Sequence, residues 1–219
     1  MAKILCLETA TTNCSVALSE NGSVIAFRED YSKQYSHAEQ LHVFIEDVLK
    51  DAKTSLQDLS AIAISKGPGS YTGLRIGVSS AKGLCYSLGV PLVSIPTLYV
   101  LMKQVEVKTN FIIPMLDARR MEVYASVYNA NGKEIRETEA EILDENSFLE
   151  FLEKGRVTFI GSGVEKFKEI GNHPNAVFVE GKLPSALQMA SLAHQKFEEK
   201  KFEDVAYFEP YYLKDFMKT

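Results

Sequence analysis

The chain has 219 residues, 46% hydrophobic and 24% charged, a globular balance that excludes a disordered or low-complexity protein. A net charge of −5 without a basic stripe excludes a protein that grips RNA unaided, since phosphate neutralisation supplies most of such affinity. No apolar run reaches the roughly eighteen residues a membrane span needs, Glu8 interrupts an opening run too short for a signal-peptide core, and Cys6, Cys14 and Cys85 form no C-x-x-C pair, so a cytoplasmic chain with free thiols and no metal site is expected.

Residues 3–8 read as a buried strand and 9–13 as a polar turn. Two strands, 14–20 and 23–29, join at Asn21-Gly22, a pair suited to the positive φ angles of a tight hairpin. Ser36-His37-Ala38-Glu39 has the S-x-x-E spacing of a capping box. It opens a helix to about Lys53 whose apolar face is Leu41, Phe44, Ile45, Val48 and Leu49. Residues 60–65 are a strand. The loop Gly67-Pro68-Gly69-Ser70-Tyr71-Thr72-Gly73 then leads into a helix ending near Gly89, and 91–95 form a short strand.

A similar order restarts with strands at 111–116, 121–128 and near 133–139, the last two joined through Asn129-Ala130-Asn131-Gly132. A helix at about 145–154, a strand at 156–160, a helix opened by Gly161-Ser162-Gly163, a strand near 176–180 and a helix over roughly 185–200 complete the chain. A carboxylate ends each first strand, Glu8 and Asp117, and an Asn-Gly hairpin recurs. Two copies of a βββαβαβ lobe are the plan of the actin-like ATPases, each lobe related to ribonuclease H. The expected fold is therefore α/β, with mixed sheets flanked by helices in two lobes, 1–105 and 106–219. The last helix and tail, about 185–219, can pack back on the first lobe.

Strand, glycines, then helix is an arrangement that offers backbone N–H groups to an anion. The spacing G-x-G-x-x-x-G matches neither common nucleotide fingerprint, so Gly67, Gly69 and Gly73 suit a phosphate loop or simply a tight turn with close packing. In the following helix Gly73, Gly77 and Ala81 recur every four residues. Glycine in a helix costs about 1 kcal/mol relative to alanine, and close approach of another helix would offset it. That helix is either the chain's own at 36–53 or one from another protein. Glu8-Thr9-Ala10-Thr11-Thr12 occupies the turn where actin-like ATPases keep an Asp-x-Gly phosphate loop, with Ala10 in place of the glycine. His37 and His42 are five apart and do not converge on a metal; with His173 and His194 they read as solvated or capping residues. Asp117-Ala118-Arg119-Arg120 reads as a surface ion cluster or as an anion contact in a complex.

Lys3-Ile4-Leu5-Cys6-Leu7-Glu8-Thr9-Ala10-Thr11 with Ser15-Val16-Ala17-Leu18 resembles the opening of the bacterial TsaB family, formerly called YeaZ. Gly67-Pro68-Gly69-Ser70-Tyr71-Thr72-Gly73-Leu74-Arg75-Ile76-Gly77 resembles that family's G-P-G-S-[FY]-T-G-[LI]-R-[IV]-G block. Asp117 to Arg120 with Glu122-Val123-Tyr124, and Pro210-Tyr211-Tyr212-Leu213-Lys214, are similar to later blocks, Lys214 standing where Arg is frequent.

The resemblance implies a role in making N6-threonylcarbamoyladenosine beside the tRNA anticodon. In that system a synthase makes threonylcarbamoyl-adenylate, TsaD holds a metal with an H-x-x-x-H motif and carries out the transfer, and the ATPase TsaE joins TsaB and TsaD. The implied role here is a non-catalytic partner that binds TsaD and TsaE, meets tRNA only through the complex, and forms homodimers in their absence. No cofactor of its own is implied, with ATP or ADP placed at most where it meets TsaD. The expected docking surface is the helices at 36–53 and 72–88, with Leu41, Ile45, Gly73, Arg75, Gly77 and Ala81; a bulky residue at Gly77 should then abolish docking and leave the fold intact. Glu8, Thr9, Thr11, Gly67, Gly69, Asp117, Gly161 and Gly163 are candidates for a degenerate phosphate site. One rival is a stand-alone ATPase or kinase built on Glu8, Thr11, Asp117 and the glycines of 161–163; a more distant one is a glycoprotease-like peptidase.

Overall fold

Lys3–Glu8 (β1) is an apolar run because both of its faces are covered, and its side chains alternate between two cores. Leu5 and Leu7 join a cluster with Leu41, Ile45, Val48, Val78 and Ala81, while Ile4 and Cys6 join another with Val93, Met189 and Ala193. The structure, a computed structural model, describes residues 1–31, 37–106 and 108–214. The expected capping residue Ser36 lies outside them.

β1 pairs antiparallel with Cys14–Glu20 (β2), which pairs antiparallel with Ser23–Asp30 (β3) across Asn21 and Gly22, both at positive φ (49° and 82°). His37–Asp51 (α1) leads through a 3-10 turn at Leu56–Asp58 to Ala61–Ser65 (β4), parallel to β1. Tyr71–Leu88 (α2) ends on Gly89 in the left-handed region, φ 66°. Leu92–Ile95 (β5) is parallel to β4, giving the order β3-β2-β1-β4-β5. Thr97–Met102 (α3), a short apolar run after Pro96, is a helix the periodicity did not announce.

Phe111–Asp117 (β6), Glu122–Asn129 (β7), Glu134–Ile142 (β8), Leu149–Leu152 (α4), Val157–Ile160 (β9), Val164–Ile170 (α5) and Ala176–Val179 (β10) build a second sheet, β10-β9-β6-β7-β8, with the same succession of strands. Met189–Glu198 (α6) follows a 3-10 turn at Ala186–Gln188. The helix expected over 145–154 shrinks to α4. Asp144 accepts from the Asn146 amide (2.8 Å), the Ser147 hydroxyl accepts from the Asp144 amide (3.0 Å), and Phe148 sits at φ 63°, so local side-chain bonds hold 144–148 out of the helix.

The chain divides into two compact units: residues 1–100 with 184–219, and residues 101–183. Cys6, Cys14 and Cys85 are free and buried, and burial pushes their thiols up to about 12, 12 and 11, which leaves them poor nucleophiles.

Candidate functional site

β1 delivers Glu8 to the head of the polar turn, and the side chain is 0% exposed. Its Oε1 accepts from the Ala10 amide at 2.7 Å, while Oε2 has no hydrogen-bond partner among the described residues. Burial pushes the carboxyl up to about 7, with the Ala10 amide pulling the other way. Glu8 is therefore close to half protonated at neutral pH, unlike the permanently charged acid that an exposed turn would carry.

The remainder of the turn is seated on α2. The Ser70 amide donates to Ala10 O (2.7 Å), and the Thr9 hydroxyl donates to Gly73 O (2.8 Å). A Cβ on Gly69 would lie 2.8 Å from Ala10 Cβ. One on Gly73 would strike Thr9 O, and one on Gly77 would strike Thr9 Oγ1 and come within 3.0 Å of Ile64 Cδ1. The side-chain-poor stripe thus faces neither α1 nor open water but the chain's own first turn. This corrects the expected surface: Leu41 (0%), Ile45 (5%) and Ala81 (0%) are core residues, and Gly73 and Gly77 are buried with them. Arg75 alone of the six faces solvent. The reason is geometric, since the i, i+4 positions of α2 are the ones turned toward the sheet, and only glycine lets the turn come so close.

His37, expected to be solvated or capping, is 2% exposed, and its Nε2 lies 2.6 Å from Thr11 O. Burial holds its pKa below the ordinary value. Gly67 (φ 108°) is pinned by Thr97, whose hydroxyl accepts from the Gly67 amide (3.0 Å) and meets Ser65 Oγ (2.7 Å), and whose amide donates to Gly67 O (3.0 Å). Sequence reasoning missed Thr97; a buried hydroxyl beside a proline carries no periodic signal.

In the second unit Asp117 ends β6 with a side chain 48% exposed and 3.1 Å from Lys166 Nζ. It also accepts from the Arg119 amide (2.6 Å), so the expected ion cluster forms with Lys166. A Cβ on Gly161 (φ 117°) would strike Met115 O, and one on Gly163 would lie 2.7 Å from Val123 Cγ1. The phosphate-loop candidates are divided: Glu8, Thr9, Thr11, Gly67 and Gly69 belong to the first unit, Asp117, Gly161 and Gly163 to the second. No group of three His, Cys, Asp or Glu side chains suited to a metal, and no helix long and apolar enough to cross a membrane, occurs among the described residues.

The outer side of the first unit carries a further feature that the sequence did not reveal. After α6 the chain crosses the edge of β5, where the Glu203 amide donates to Leu92 O (2.9 Å). It then runs along α2: Lys82 Nζ donates to Ala206 O (3.2 Å) and Phe208 O (2.9 Å), and the Tyr211 amide donates to Lys66 O (2.7 Å). The Tyr212 ring lies 5.0 Å from that of Tyr71, and the Arg75 guanidinium 5.4 Å over Tyr71.

Comparison with known proteins agrees with this architecture. The sequence model of the family described as "TsaD: tRNA N6-adenosine threonylcarbamoyltransferase" matches residues 31–217. The tRNA threonylcarbamoyladenosine biosynthesis protein TsaB of Escherichia coli is 33% identical over 97% of this chain and 95% of its own. The crystallised YeaZ from Pseudomonas aeruginosa superposes with a TM-score of 0.82 at 25% identity, covering 97% of this chain and all (100%) of the other. A more distant neighbour, an activator of a 2-hydroxyisocaproyl-CoA dehydratase from Clostridium difficile with bound ADPNP, has a TM-score of 0.50 at 9% identity and shares the fold alone. The two sheets with repeated strand order are thus an actin-like ATPase fold, and with the likeness running nearly end to end, the chain belongs to the TsaB (YeaZ) family of tRNA threonylcarbamoyladenosine biosynthesis proteins.

Proposed function

We propose that this chain is a non-catalytic subunit in the formation of the N6-threonylcarbamoyl group on tRNA adenosine, and that it acts by docking the transferase TsaD, with TsaE joining the pair. The observation that carries this reading is the filled first turn. Thr9 and Ala10 sit on the glycines of α2, and Glu8 is enclosed with one oxygen unpaired, where an actin-like ATPase presents an open phosphate loop. A metal-bound phosphate would have to displace packed backbone there. In this reading any ATP or ADP is held where the chain meets TsaD, tRNA is met through the complex, and the docking face pairs with itself when TsaD is absent.

Because the inner faces of α1 and α2 are core, docking falls to their outer ridges, where Val43, Arg75 and Tyr86 are exposed. Reconstitution tests the reading. The unaltered chain is mixed with TsaD, TsaE, the adenylate synthase, threonine, bicarbonate, ATP and tRNA, and each protein is omitted in turn. Modified adenosine should form only when this chain and TsaD are both present. Modification by the chain alone, or turnover of Mg-ATP by the isolated chain, would overturn it.

A further inference from the structure

The C-terminal segment does more than finish the chain. Phe208, 9% exposed, is inserted into the core cluster of α1 and α2, and Lys82 spans from α2 to two carbonyls on either side of it. This leaves an open groove of about 260 Å³ whose walls are Arg75, Ser79 and Lys82 on α2 and Phe208, Glu209 and Tyr212 on the segment. Its rim is aromatic: Tyr212 is 37% and Tyr86 86% exposed.

Charge decides what such a groove takes. α2 carries two cations, Arg75 and Lys82, and no carboxylate, within a chain of net charge −5. Neither cation makes an ion pair among the described residues: Arg75 lies over a ring, and Lys82 donates to neutral carbonyls. Tyrosine and arginine around a desolvated pocket are also the composition of binding hot spots.

Resting on the reading above, we propose that the segment 203–214 and α2 together form the docking face, and that their groove receives a carboxylate-bearing side chain of the transferase subunit, paired by Arg75. Lys82 is a positioning residue that holds the second wall in place. A nucleic acid suits the face less well, because the neighbouring α1 bears Glu39, Glu46, Asp47 and Asp51 against one lysine, Lys50, and would repel phosphates.

The test is calorimetric titration of the full chain with purified TsaD. Arg75→Glu, an exposed change that breaks no bond in the fold, should weaken binding about ten-fold or more. Tyr212→Ala should weaken it by a comparable factor, and Lys82→Met should do so while making the 203–214 segment more sensitive to protease. Lys82→Arg, which keeps the charge and the donors, should restore both readouts. Unaltered affinity in Arg75→Glu and Tyr212→Ala, with the parent chain binding normally, would overturn this proposal alone. Failure of the parent chain to bind TsaD at all would overturn the functional reading and this with it. Binding of an anticodon stem-loop RNA by the isolated chain, lost in Arg75→Glu, would make nucleic acid the occupant and overturn the proposal as well.

Discussion

Glu8 and Asp117 end the central strands of two sheets with the same strand order, yet one is sealed and the other stands in water. The difference follows from what packs on each sheet. In the first unit two long helices, of 15 and 18 residues, cover one face, and the glycines of the second bring it down onto the turn after β1. In the second unit the corresponding helices have 4 and 7 residues, and the space is filled by rings: Phe148, Phe159 and Phe167 meet with centroids 4.8–5.6 Å apart. Close backbone approach closes a turn over its carboxylate. Aromatic filling keeps the helices at a distance and leaves the turn open.

If backbone approach is the device, the largest effect belongs to Gly77. Gly77→Val places a branched side chain where Thr9 Oγ1 and Ile64 Cδ1 already lie, and neither a buried strand end nor its turn can retreat. A loss of roughly 3 kcal/mol is expected, at the upper end of overpacking costs, read as a lower urea midpoint. This reverses the sequence-based expectation that a bulky residue there would spare the fold. A variant with parental stability would break the comparison.

Next comes the sealed carboxylate. A buried acid whose pKa is raised to about 7 from 4.5 is protonated in the folded chain while its unfolded counterpart ionises, so its burial increasingly opposes folding as pH rises through that window and no further above it. Glu8→Gln removes the titration. The stability of the variant relative to the parent should therefore climb with pH across the window, by about 2–3 kcal/mol, and then flatten. A difference independent of pH would mean that Glu8 is not sealed. A smaller effect comes from Gly83, on the solvent side of the same helix, where a Cβ would meet nothing within 4 Å. Gly83→Ala should raise the urea midpoint, by up to about 1 kcal/mol, because only helix propensity is at stake.

The strands were legible because a strand covered on both faces must be apolar along its length, as residues 3–8 and 60–65 are. The hairpin at Asn21-Gly22 and the stop at Gly89 were legible because positive φ selects those residues. The glycine stripe was half legible. A spacing of four shows that Gly73, Gly77 and Ala81 share a face but not what faces them, and the partner was a turn more than sixty residues earlier in the chain. His37, Thr97 and the 203–214 segment escaped for the same reason, since each acts through long-range backbone contacts that leave no local pattern. At 145–154 the apolar spacing was read correctly and overridden by the Asp144 and Ser147 side chains, which bond their own backbone more favourably than a helix would allow.

The smallest predicted effect completes the pair. Asp117→Asn removes a charge at the position in the second unit that Glu8 holds in the first. The carboxylate pairs with Lys166 at 3.1 Å, but its side chain is 48% exposed, so water screens the attraction. Lys166 keeps bonds to Arg120 O (2.5 Å) and Glu122 O (3.1 Å), and an asparagine oxygen can still accept from the Arg119 amide. The urea midpoint should fall by no more than about 0.5 kcal/mol, and the shift should shrink in high salt. A loss several times larger would place Asp117 in a dry environment like that of Glu8, and the contrast between a turn closed by backbone and a turn left open by rings would fail.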